Sequence, residues 1–252
     1  MRILKIVFLL FALIYLVPTA LAVLFWWAGS HPGSWRDADW TSAKLLPAPA
    51  QSRDAAVYVF AARTGGLKGA ISEHSWVVVK EKGAPAYERW DKVGWGSPIR
   101  RNAYAADARW YSNPPQLVLE RHGEAAEALI PSVREAIRAY PYSTAGSYHI
   151  FPGPNSNTFV EHVLRHVPGL RTNLPPAAIG RDYPSDGRFA VIDRDRGDLR
   201  LSILGYAGLS VGRTAGLELN ILGLVAGIDP WHLGIKIPAF GSYSLLPERF
   251  SF

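Results

Sequence analysis

The hydrophobic pattern changes most sharply at Gly29. Residues 6–28 (IVFLLFALIYLVPTALAVLFWWA) carry no charge, and apolar side chains would cover every side of the helix such a run predicts. At about 1.5 Å per residue this helix is roughly 35 Å long, enough for a hydrocarbon core of about 30 Å. Arg2 and Lys5 precede it, and Trp26 and Trp27 close it. That is a positive flank retained on the cytoplasmic side and an aromatic pair at the interface. A cleaved signal peptide is the competing reading, since Ala20-Leu21-Ala22 has a small-x-small form. Cleavage there would leave a chain beginning Val-Leu-Phe-Trp-Trp, an awkward end for a soluble protein. Residues 1–29 are therefore read as an uncleaved transmembrane anchor.

Residues 30–54 are rich in Gly, Pro, Ser and polar groups and are expected to form a linker. Beyond them come short β-branched or aromatic runs at Val57–Phe60, Ser75–Lys80, Tyr87–Val93 and Leu117–Glu120. Lys82-Gly83-Ala84-Pro85 turns the second run back on the third. Glu124–Tyr140 spaces Leu129, Val133 and Ile137 as a helix does, with Pro131 as a perturbation. Pro154–Val167 predicts a second helix with Phe159, Val160, Val163 and Leu164 on one face. Phe189–Asp193 and Leu199–Leu204 predict a late hairpin around Arg194-Asp195-Arg196-Gly197. Hairpins, then helices, then more strand make an α+β chain and not an alternating βα one. The expected divisions are a core over 55–175 and a C-terminal extension over 176–252 that packs on it. Leu217–Ile228 (LELNILGLVAGI) is too short to span a bilayer. Core packing is the first expectation for it and peripheral membrane contact the second.

Composition narrows the chemistry. The chain has no cysteine, which excludes disulfides, thiolate metal sites, iron–sulfur clusters and a cysteine nucleophile. Its net charge of +6 comes without a basic block or stripe, so nucleic acid is not an expected partner. The expected partners are the lipid bilayer and a peptide, cell-wall or lipid substrate, with no cofactor and no metal.

Three motifs lead nowhere. Gly208-Leu209-Ser210-Val211-Gly212 has the G-x-S-x-G form, yet it lacks the preceding βα units a nucleophile elbow needs; a glycine-rich turn is expected. His162 and His166 share a helix face but lack the Glu of a zincin and a third ligand, so surface or groove histidines are expected. Asp193, Asp195 and Asp198 lack the spacing of a calcium loop and fit a charged hairpin turn.

The stronger constellation joins His74, which opens the run HSWVVVK, to Ser156 in PGPNSNTFVEHVL. A serine at the start of an apolar helix sits among free backbone N–H groups at the positive dipole end. Asn155 and Asn157 flank it there, and the same amides could hold an oxyanion. A histidine on a neighbouring strand could act as base. Glu88 and Asp91, on the following strand, fall on opposite faces by parity, so either could orient His74. The bland reading of Pro-Asn-Ser-Asn-Thr is a helix cap, with Thr158 and Glu161 as a T-x-x-E capping box.

HSWVVVK, YERWDKVGWG, PGPNSNTFVEHVL, AAIGRDY and GLELNILGL together resemble an uncharacterised bacterial family of membrane-anchored proteins, domain of unknown function 3750. More remotely, His74 to Val167 resembles the circularly permuted papain-like proteins, among them NlpC-type and lecithin:retinol acyltransferase relatives. Those carry an early strand histidine and a later Asn-Cys-Glu-His-Phe-Val motif opening a helix. Asn155, Phe159 and Val160 match that motif, and Ser156 stands at the cysteine position. The resemblance implies a permuted papain-like antiparallel sheet packed on helices. It also implies catalysis by Ser156 and His74, in a domain held on the periplasmic side of the inner membrane by a single pass. A serine, unlike a thiol, stays protonated and needs a well-oriented base. Two functions are therefore open: a serine-dependent hydrolase or acyltransferase, and a non-catalytic binding or scaffold module.

Overall fold

The computed structural model describes residues 1–246. Helices α1 (Arg2–Phe11) and α2 (Val17–Ala28) join through a π turn at Ala12–Leu16 into one continuous helix. Pro18 explains the turn: it offers no N–H, and its ring would crowd the carbonyl four residues back. Arg2–Ala28 is long and apolar enough to cross a membrane.

The chain from there to β1 is irregular, but it is fastened. Trp40 meets the rings of Tyr104, Trp110 and Tyr111, and Asp107 accepts hydrogen bonds from the Leu45 and Leu46 amides.

Strands β1 (Ala56–Arg63), β2 (Glu73–Lys80), β3 (Glu88–Lys92), β4 (Ile99–Arg101) and β5 (Gln116–His122) form an antiparallel sheet in the order β4-β3-β2-β1-β5. Its central strands are apolar on both faces because both are covered. Val57, Val59, Val77 and Val79 meet α3 (Gly123–Arg138) and α4 (Ser156–His166) through Ile130, Val133, Phe159 and Val163. Tyr58, Phe60, Trp76 and Val78 meet Trp110 and the irregular chain around it. Pro131 lies within α3, which runs through it.

A second antiparallel sheet follows, in simple sequence order from β6 to β12. It comprises β6 (Ala190–Asp193), β7 (Asp198–Ile203), β8 (Ala207–Gly212), β9 (Gly216–Ile221), β10 (Leu224–Asp229), β11 (Gly234–Ile237) and β12 (Gly241–Ser244). Two antiparallel sheets with a few helices make the fold α+β. The hairpin predicted around residues 194–197 is the β6–β7 pair.

Two expectations are corrected here. Gly208–Gly212 is neither elbow nor turn but the straight strand β8. Leu217–Ile228 is not core: it forms β9, a tight turn and β10, with Leu217, Leu219, Leu222 and Ile228 exposed. The side of this sheet that meets the first unit is polar instead. Glu218 is buried between Arg181 and Lys236, each at 2.5 Å, and the Asn220 amide donates to Asp182 at 2.9 Å.

Candidate active site

The start of α4 is built by Asn155. Its Oδ1 accepts from the amides of Asn157 and Thr158, at 2.9 and 3.2 Å. Thr158 Oγ1 in turn accepts from the Asn155 amide at 3.1 Å. This reciprocal box satisfies three donors locally. Asn155 is thus the N-cap and Ser156 the first helical residue, which corrects the box expected from Thr158 and Glu161. Glu161 instead accepts from Arg165 and Arg196, and their charges, with that of Arg200, hold its carboxyl well below the usual range against burial. Gly180 permits the close approach of the 174–181 loop to this cap. Its φ is +97°, and a Cβ there would lie 2.2 Å from Asn155 Nδ2.

Asn157 fixes the helix to the sheet. Its Nδ2 donates to the Glu73 carbonyl and its Oδ1 accepts from Ser75 Oγ, both at 2.8 Å. The helix start is therefore pinned at the two residues that flank His74. Strand alternation then sends Ser75 toward α4 and the His74 ring to the other face of β2, where it stacks on Trp110 at 3.7 Å with 6° between the planes.

On that face His74 Nε2 lies 2.9 Å from Asp91 Oδ1. Glu88 points the opposite way, toward Arg134 and Arg101. Burial would raise the Asp91 carboxyl, but the Arg89 guanidinium and the His74 bond outweigh it and bring it to about 2. Arg89 binds it through two nitrogens, at 2.7 and 2.8 Å. Burial lowers the His74 pKa, and Asp91 opposes this only in part. A neutral ring beside an ionised carboxylate must donate to it, so Nε2 carries the proton and Nδ1 keeps its lone pair.

Among the described residues no hydrogen bond joins Ser156 to His74. The contact of Ser156 is Tyr148, whose hydroxyl meets both the backbone N–H and the hydroxyl of Ser156. Burial raises the Tyr148 pKa, and these two contacts oppose the rise. Because Asn155 already takes the Asn157 and Thr158 amides, the Ser156 N–H is the helix-start donor directed at Tyr148. Ser156 and His74 are 2% and 3% exposed. A surface concavity of about 430 Å³ is lined by Gly153 and Pro154, just before the cap, with Tyr142, His149, Phe151 and Tyr183. A larger one of about 570 Å³ lies between β3, β4 and α3, on the sheet face away from His74.

Sequence reasoning missed Tyr148 and Arg89. Tyr148 sits in irregular chain with no periodic signal, and Arg89 is legible only once Asp91 is known to face His74. Of the two helix histidines, His166 is exposed as expected, whereas His162 is buried against Tyr140, with its pKa lowered by burial and by His166 to about 4. Among the described residues no group of three His, Asp or Glu side chains is placed to hold a metal ion. Asp193, Asp195 and Asp198 accept from the amides of Arg196, Gly169 and Thr214, which are turn and loop contacts.

Comparison with curated proteins and with solved structures gives no match. Residues 54–183 match a family described as a protein of unknown function, DUF3750. The match takes in the first sheet, α3, α4 and the Asn155 cap, and it ends before β6. It covers just over half of the 252 residues, and the chain belongs to the DUF3750 family.

Proposed function

We propose that this is an inner-membrane protein, anchored through α1 and α2 with its globular part in the periplasm. In this reading Ser156 and His74 serve a hydrolase or acyltransferase on a permuted papain-like core. The observation that carries it is the 2.9 Å bond from His74 Nε2 to Asp91. It fixes the tautomer, leaves Nδ1 as the basic nitrogen, and belongs to a ring locked by Trp110 on the face of β2 opposite the one that α4 covers. Ser156 would attack a carbonyl carbon, its proton passing to Nδ1 once movement of the intervening chain brought the two side chains together. The bond to the leaving oxygen or nitrogen would then break as that atom took the proton from Nδ1, and water or an acceptor alcohol would release the acyl group from Ser156. The tetrahedral oxyanion would take the Ser156 N–H and, after rotation of its hydroxyl, the Tyr148 O–H. Preorganised donors of this kind typically account for about 10²–10³ in rate each. The substrate would approach across the concavity beside Gly153 and Pro154, and the stretch carrying Tyr148 would have to move to admit it.

A specific observation favours the second reading, a non-catalytic binding module. The Ser156 hydroxyl has the Tyr148 hydroxyl as a neighbour, and Ser156 is buried. A fluorophosphonate probe separates the two readings. A catalytic centre gives labelling at Ser156 that His74→Ala abolishes and Asp91→Asn lowers by about 10²–10⁴ in rate, the scale of an orienting acid. No labelling of the wild type, or labelling indifferent to His74, leaves the binding module.

A further inference from the structure

The second sheet is built inside out. Along β7 to β9, Asp198, Arg200, Ser210, Glu218 and Asn220 point toward the first unit and are buried. The alternate positions point outward. In register across all seven strands, a row runs from Ile192 through Val211, Leu217 and Ile228 to Tyr243. Exposure along it ranges from 42% to 73%. A parallel row passes through Leu201, Leu209 and Leu219. No charged side chain occupies an outward position on any of the seven strands. At about 4.8 Å between strands, this face is roughly 29 Å wide. Soluble proteins do not leave such a surface to water without a use for it.

The hairpin tips extend the same surface. Leu204, Leu222 and Leu233 are exposed at φ between 49° and 53°, a left-handed conformation that disfavours a leucine. Asn or Gly would suit those turns better. Trp231, Tyr206 and Phe189 stand exposed around the rim, the residue types that settle where hydrocarbon meets headgroups.

What covers the face is indicated by the N-terminal helix. Phe25 packs on Phe240 in the β11–β12 turn, and Tyr15 donates its hydroxyl to the Leu219 carbonyl of β9 at 2.9 Å. The helix thus meets the sheet at Tyr15 and Phe25 and packs on Leu67–Ala70 through α2; Tyr15 and Ala22 are buried, and most of its other side chains are exposed. Any medium that takes up this helix meets the sheet beside it.

We propose that the outward face of the second sheet rests on the phospholipid bilayer that receives α1 and α2, so that helix and sheet form one lipid-facing surface. This rests on the membrane-anchor reading. Tyr15 and Phe25 both meet the sheet, so the sheet lies along the C-terminal half of the helix, over about 15 Å of its length. The open edges at β6 and β12 cannot enter hydrocarbon with their backbone groups unpaired. The sheet therefore sits at headgroup level with only its outward side chains immersed.

The absence of cysteine makes the test direct. Single Leu217→Cys, Ile228→Cys, Leu9→Cys and Lys82→Cys variants of the full chain are labelled with an environment-sensitive nitrobenzoxadiazole. They are then reconstituted in phosphatidylglycerol–phosphatidylcholine vesicles, with and without lipids carrying a quencher on the acyl chain. Labels at Leu217 and Ile228 should be quenched by the lipid at least about threefold more than the label at Lys82, as expected of side chains at the acyl boundary. Quenching equal to that at Lys82 overturns the proposal. So does shielding from both the lipid quencher and aqueous iodide, which would mean a protein partner or a second copy. Leu9 quenched while the sheet positions are not would sink this inference and leave the anchor standing. Leu9 unquenched would sink the anchor itself.

Discussion

The two sheets of this protein solve the same problem in opposite senses. The first buries valines on one face of β1 and β2 and aromatics on the other, with a compact charged cluster, Arg89 and Asp91, beside His74. The second turns Glu218, Asp198, Arg200 and Lys236 inward and its leucines out. Alternation along a strand is present in both, so alternation alone does not say which side is inside. What decides is the neighbour: α4 offers the first sheet an apolar face, whereas Arg181, Asp182 and Glu161 offer the second sheet a charged one. A buried ion pair is weak as a source of stability but strong as a fixer of register, because a displaced partner leaves an unpaired buried charge.

The largest effects should therefore come from inward positions of either kind. Phe159→Ala in the apolar interface should cost about 3–5 kcal/mol through the cavity it leaves. Glu218→Ala should cost a similar 3–5 kcal/mol or so, by stranding Arg181 and Lys236. Denaturant titration of the two variants measures both, and a loss at Glu218 under about 1 kcal/mol would mean that the polar interface is loosely held. Acid should pull the two regions apart by an intermediate amount. The His74 pKa falls below its ordinary 6.5 in the fold, so the unfolded chain takes the proton first, and stability drops as pH falls below about 6.5. Glu218 is held below its ordinary 4.5 by Arg181 and Lys236 against burial. Its contribution is present above about 4.5 and is lost only as pH falls through the lower, folded value. Unfolding curves from about pH 8 to about pH 3 should show two phases; because His162 is lowered in the same way as His74, His74→Gln should reduce the upper phase and the double variant His74→Gln, His162→Gln should remove it. The smallest effect belongs to the outward face. Ile192→Thr keeps strand propensity at a 73% exposed position and should change stability in detergent by less than about 0.5 kcal/mol.

The legibility of the sequence follows the same divide. Strands β1, β2, β3 and β5 and both later helices were readable, because apolar periodicity there coincides with burial. The hairpin at β6–β7 was readable from Arg194-Asp195-Arg196-Gly197. The rest of the second sheet was not, although Leu217-Glu218-Leu219-Asn220-Ile221 alternates cleanly. Its turns at Leu204-Gly205 and Leu222-Gly223 carry leucine where asparagine or aspartate would signal a hairpin. Two strands and their turn thus read as a single apolar run. At the candidate site, sequence located the α4 start, His74 and the pair of acids beside it. Choosing Asp91 over Glu88 required knowing which face of β3 meets Trp110. The internal use of the Asn157 and Thr158 amides required the side-chain position of Asn155. Tyr148 owes its place to the path of irregular chain, which leaves no periodic trace.

The hydrogen bond from Tyr15 to Leu219 spans 204 residues, and this separation has a consequence in time. Synthesis at about 5–20 residues per second puts roughly 10–40 s between the emergence of its two partners. For that interval the helix exists without the strand that Tyr15 bonds, although Leu67–Ala70, which packs on α2, is already present. The contact between helix and sheet is therefore a late step of biogenesis, made after the family-matched core has left the ribosome. A chain stopped before β9 could complete the first sheet and its Asn155 cap, yet would leave the Tyr15 side of the helix bare.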